Sequence, residues 1–128
     1  MLSMNDQSRI SSILIATDGS VYADAATECG AWLAAHIDAQ VTAIYVIDAR
    51  RLAGHFIKHF SEVVGGDRSA GLVTRVREYY QSHGQQTLAR AAMICERHGV
   101  GCRTKLETGN VVKIVAEAML RRQRVGPT

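Results

Sequence analysis

The chain has 128 residues, 47% apolar and 21% charged, a makeup that suits one globular domain and excludes two. No apolar run approaches the ~20 residues that span a bilayer, and the polar residues 1–12 lack the apolar stretch of a secretory signal, so a cytoplasmic domain is expected and a membrane protein is not. The net charge of +3 comes from Lys and Arg spread along the chain, dense only at Arg121, Arg122 and Arg124, where they read as the closing cations of a helix and not as a nucleic-acid patch.

In chain order, Ser12-Ile13-Leu14-Ile15-Ala16-Thr17 is a continuous, β-branched apolar run, the pattern of a strand buried on both faces of a parallel sheet. It stops at Asp18-Gly19-Ser20, and Ser20 is placed to cap a helix whose inner face reads as Tyr22, Ala26, Cys29, Leu33 and Ile37. A second buried strand follows from Val41 to Ile47 and ends at Asp48. Residues 49–71 interrupt the rhythm at Gly54 and Gly65-Gly66, leaving a short helix over residues 54–64 and a long excursion of the kind used for lids or interface arms. The longest helix resumes at Leu72 and runs through Val76, Tyr80, Thr87, Ala91 and Ile94 to a cap at Gly99, with Gly84 as its weak spot.

Residues 100–108 alternate Val100, Cys102, Thr104 and Leu106 against Arg103, Lys105 and Glu107, the signature of a strand with one wet face or at a sheet edge. Gly109 turns the chain, Asn110 caps the last helix, and Val111, Ile114, Val115 and Ala118 form its apolar stripe. The order β-α-β-excursion-α-β-α predicts an open parallel α/β sheet with right-handed crossovers and helices on both faces. Ligands of such sheets bind beyond the carboxyl ends of the strands, where Asp18 sits. Its carboxylate there either accepts hydrogen bonds from a ribose or other polyol, serves as a nucleophile, or merely closes an Asx turn with Gly19 and Ser20.

Ile13-Leu14-Ile15-Ala16-Thr17-Asp18-Gly19-Ser20, followed by a helix and by Val41-Thr42-Ala43-Ile44-Tyr45-Val46-Ile47-Asp48, resembles the universal stress protein family. The segment from Leu106 to Val115 is similar to that family's third strand, Gly-containing turn and helix. The resemblance implies an adenine-nucleotide α-hydrolase-like, three-layer sandwich of strand order 3-2-1-4-5, with strands four and five absent from these 128 residues, which would make 1–128 a single, C-terminally incomplete domain.

It further implies an adenine nucleotide, ATP or AMP, with Asp18 on the ribose and backbone at Val46 on the adenine. Ala16 and Thr17 would form the floor, and Gly109 would line the same crevice. The family's Gly-x2-Gly-x9-Gly-Ser/Thr phosphate motif does not occur here, so no phosphate-binding residue is assigned. The phosphohydrolase loop of related proteins, Ser-Gly-Gly-x-Asp-Ser, is likewise not matched by Thr17-Asp18-Gly19-Ser20, and with no nucleophile, base and acid set an enzyme is not expected.

Without strand four, the apolar edge Ile13-Leu14-Ile15 would need a cover, which predicts a homodimer or another strand-edge pairing. The alternative function is a nucleotide-free, dimerising interaction module using this edge and the excursion, with Phe56 and Phe60 packing on the core or on a partner protein. His55 and His59 share a helical face, but Phe56 stands where His-Glu-x-x-His has its glutamate, so no metal site is expected. His36, His83 and His98 read as surface or capping residues. Cys29, Cys95 and Cys102 form no Cys-x-x-Cys pair and read as buried thiols in a reducing compartment.

Overall fold

The computed structural model describes residues 10–48, 50 and 66–125, with side chains left undescribed at 66–73 and 121–125. Six elements succeed one another: β1 (Ser12–Ala16), α1 (Val21–Ile37), β2 (Gln40–Asp48), α2 (Gly66–Arg97), β3 (Cys102–Gly109) and α3 (Val111–Val125). The strands form a parallel sheet in the order β1-β2-β3, with Ile13 beside Val41 and Val41 beside Cys102. This is the 3-2-1 half of the expected open α/β sandwich. Phe56, Phe60, His55 and His59 lie outside the described residues.

Alternation along the strands divides the core. The odd-numbered positions face α1 and α2 in two clusters, one of Ile15, Val41, Ala31, Ala34, Ile94 and Cys95, the other of Ala43, Tyr45, Ile47, Leu88 and Ala91. Thr42 and Ile44, both 1% exposed, occupy the other face, where α3 contacts all three strands and buries Ala118. The centre of β2 is therefore sealed on both sides, as its unbroken apolar run predicts. β3 takes the edge, and the side chains Arg103, Thr104 and Lys105 are exposed.

At β1, Thr17 N donates to Ile44 O at 2.9 Å and Ser11 O accepts from Gln40 N at 3.0 Å. The odd residues thus bond to β2, and Ser12, Leu14 and Ala16 turn their N–H and C=O groups to the outer edge. No strand among the described residues pairs there.

Two expectations need correction. The buried face of α1 is Ala23, Thr27, Ala31 and Ala34, whereas Tyr22 and Leu33 are exposed. Small residues win because they let the helix lie close on the sheet, and the buried Thr27 hydroxyl is satisfied by donating to Ala23 O at 2.8 Å. Gly84, expected to weaken α2, is instead where α2 comes closest to the sheet. A Cβ there would stand 2.6 Å from Leu106 Cδ1 and 2.8 Å from Tyr45 Cδ1.

The helix itself would gain about 1 kcal/mol from Gly84→Ala. Overpacking costs about 1–3 kcal/mol, and with two neighbours already below contact distance the larger cost decides the sign. Gly84→Ala is expected to lower Tm, whereas Gly101→Ala, where a Cβ meets nothing within 4 Å, leaves it unchanged. A Gly84→Ala melt above wild type would show that α2 does not approach this closely.

Candidate functional site

The carboxyl end of β1 is shaped by three consecutive side-chain-to-backbone hydrogen bonds. Thr17 Oγ1 accepts from Gly19 N at 3.2 Å, Asp18 Oδ1 accepts from Ser20 N at 2.9 Å, and Ser20 Oγ accepts from Ala23 N at 3.1 Å. Ser20 is thereby the N-cap of α1. Gly19 makes the corner with φ +83°, and a Cβ there would meet Thr87 Oγ1 at 2.8 Å and His83 Cε1 at 3.0 Å. The turn is wedged against the middle of α2. His83, expected at the surface, is half-buried at this point, hydrogen-bonded through Nδ1 to Tyr45 Oη at 3.0 Å and stacked on Tyr79 at a 6.0 Å centroid separation.

A cleft of about 510 Å³ opens beyond the carboxyl ends of β1 and β2. Ala16, Thr17, Asp18 and Val46, all singled out in the sequence, come together in its wall. Gly109 does not line it; that residue pairs with Asp48 at the end of β3, and the wall is reached two residues on by Val111. Asp18 makes the Asx turn that was one of its readings. A carboxylate has two oxygens and about four acceptor sites, so the turn and a ligand contact are compatible.

Among the lining residues that the sequence does not mark as part of a site are Tyr22, Asp48 and Tyr80. Tyr22 falls on the apolar stripe that the sequence predicts for α1, yet it is exposed. The cap at Ser20 was the signal that could have placed it, because the second residue of a capped helix stands at the strand end and not over the sheet. Tyr80 comes from α2, distant in sequence, and no local pattern links it to β1.

The lining carries two carboxylates, Asp18 and Asp48, three tyrosines, Tyr22, Tyr45 and Tyr80, and several apolar side chains; no Lys or Arg is among these residues. Such a surface accepts hydroxyl donors and covers a flat apolar ring. At the start of α1, Ser20 N, Ala23 N and Asp24 N are engaged internally, bonding to Asp18 Oδ1, Ser20 Oγ and Ser20 O. Among the described residues no group of His, Cys, Asp and Glu has metal-binding geometry, and no described helix is long and apolar enough to cross a membrane.

Fold and cleft define an open α/β protein whose candidate site lies at the carboxyl ends of parallel strands. The model of the universal stress protein family matches residues 10–120, and the chain belongs to that family. Its fold is similar to the crystal structure of a universal stress protein family member from Burkholderia pseudomallei, at 25% identity over 93% of this chain and 77% of that one, with a TM-score of 0.65. It is also similar in fold to the universal stress protein UspA from Lactobacillus plantarum, at 16% identity over 90% of this chain and 72% of that one, TM-score 0.68. Among curated proteins no sequence matches the chain.

The wedge at Gly19 makes the site sensitive to backbone changes. Ser20→Ala removes the cap and is expected to cost about 1 kcal/mol in chemical denaturation. Gly19→Ala must hold an unfavourable φ and push back His83 and Thr87, and is expected to cost more, about 1–3 kcal/mol. Equal, negligible losses would mean that the turn does not bear on α2.

Proposed function

We propose that this cleft binds an adenine nucleotide and that the adenosine half supplies most of the affinity. The carrying observation is that Asp18 and the end of β2 at Val46 wall one cavity, a carboxylate for the ribose hydroxyls beside backbone and apolar surface for the base. Two hydrogen bonds to a charged acceptor orient the sugar, and Tyr22 and Tyr80 in the cleft wall offer aromatic surface to cover a ring. The role is that of a stress-response binding module and not of a catalyst.

Two carboxylates with no cation among the lining residues oppose a polyphosphate, so affinity does not climb with phosphate number as it would in a phosphate cradle. The carboxylates in the cleft wall support this reading over a nucleotide-free interaction module, whose arm residues Phe56 and Phe60 lie outside the described residues.

Calorimetric titration with adenosine, AMP and magnesium ATP tests the reading. Adenosine is expected to bind, with AMP and ATP no more than a few-fold tighter. Asp18→Ala is expected to weaken all three by roughly ten- to a hundred-fold, the loss of hydrogen bonds to a charged group worth about 1.5–3 kcal/mol. No binding by any of the three at millimolar concentration, or an unchanged affinity in Asp18→Ala, overturns it.

A further inference from the structure

At the opposite end of the sheet, another cleft of about 640 Å³ lies between the C-terminal end of α1 and the beginning of β3. Cys102 is in its wall, half-buried, with Val100 and His98 beside it. On β3, Cys102 shares the odd-numbered face that looks toward α2, and it packs against the core cluster that contains Cys95. Cys95 is fully buried on the inner side of the last turns of α2.

The chain doubles back sharply between the two thiols. Gly99 N donates to Glu96 O at 2.9 Å and Val100 N donates to Cys95 O at 3.0 Å, with Gly99 in the left-handed region at φ +74°. Two cysteines seven positions apart are thus held on facing surfaces, one reached from the cleft and one sealed behind it. Burial pushes the Cys95 thiol up to about 12, and the Cys102 thiol adds to the shift by charge repulsion and a hydrogen bond.

We propose that Cys102 and Cys95 form a peroxide-responsive dithiol, Cys102 being the site of oxidation by a small hydroperoxide and Cys95 the thiol that resolves it into a disulfide. In the first step the Cys102 sulfur attacks a peroxide oxygen and the O–O bond breaks. The products are a sulfenic acid on Cys102 and one water, or an alcohol if the peroxide is organic. In the second step the Cys95 sulfur attacks the sulfenic sulfur, the S–S bond forms and the S–O bond breaks. The hydroxyl leaves with the Cys95 proton as water. Two thiols lose two electrons and the peroxide gains them.

The division of labour follows from exposure. Cys102 meets solvent through the cleft, whereas Cys95 is protonated and enclosed, shielded from peroxide and free to attack only the sulfenic sulfur of its neighbour. Cys29 is exposed on α1 outside this cluster and serves as an internal comparison. The disulfide would staple the end of α2 to the first residue of β3.

Trypsin cleavage after Arg90, Arg97 and Arg103 places Cys95 in residues 91–97 and Cys102 in residues 98–103, so the bond is read directly as a link between two peptides. After a small molar excess of hydrogen peroxide and alkylation of the remaining thiols, mass spectrometry of the full chain is expected to show this link. Dithiothreitol is expected to reverse it. In Cys95→Ser, Cys102 accumulates as a sulfenic acid trapped by dimedone, and in Cys102→Ser, Cys95 stays reduced under the same treatment. Progress of Cys102 to sulfinic acid in the wild type while Cys95 stays reduced overturns the proposal. So does oxidation confined to Cys29.

Discussion

The approach of α2 to the sheet at Gly84 is the contact on which the rest of the molecule depends. With no side chain at that position, the helix settles on Tyr45 and Leu106. One residue earlier, His83 then reaches the Tyr45 hydroxyl, and one turn later Thr87 meets the corner at Gly19. The corner in turn fixes where the Asp18 carboxylate points and where α1 begins. A packing decision in the middle of the longest helix thus sets the geometry of a cleft formed mostly by other elements.

The two faces of the sheet solve burial differently. The face under α1 and α2 is filled by short side chains on the helices, Ala31, Ala34 and Ala91, against longer ones on the strands, Ile15, Val41 and Tyr45, so helix and sheet lie close. The other face carries Thr42 and Ile44 under α3. The strands end together on the side where α1 and α3 start, and the candidate site forms there because strand ends and helix starts leave a crevice that neither layer fills. The amino-terminal side has a crevice of its own, with Cys102 in its wall and packed against the core cluster that holds Cys95.

Much of this architecture is legible in the sequence. The three strands, their parallel order, the edge position of β3 and the caps at Ser20 and Asn110 follow from apolar runs, alternation and capping chemistry, and Lys113 N does donate to Asn110 Oδ1 at 3.0 Å. That Asp18 stands in the cleft follows from a polar residue ending a buried strand, whereas Val46 is reached only through the family resemblance. The inner face of α1 is not. Ranking by hydrophobicity selects Tyr22 and Leu33, yet close helix-to-sheet packing selects Ala23, Thr27 and Ala31. Gly84 misleads for the same reason, since a helix propensity scale records its cost to an isolated helix and not the space it opens. Tyr80 and the pairing of Cys95 with Cys102 depend on how α2 lies on the sheet, which no local pattern encodes.

In the function proposed above, the carboxyl ends of β1 and β2 form one ligand site, shaped by α2 and read by a nucleoside. Amide chemical-shift mapping during titration of the full chain with adenosine addresses it most directly. Saturable shifts are expected at Thr17–Ser20 and at Val46–Asp48, with smaller ones at His83 and Tyr80 and none at Gly99–Arg103. Saturable shifts confined to the amino-terminal end of the sheet, or no shifts at millimolar adenosine, would contradict it.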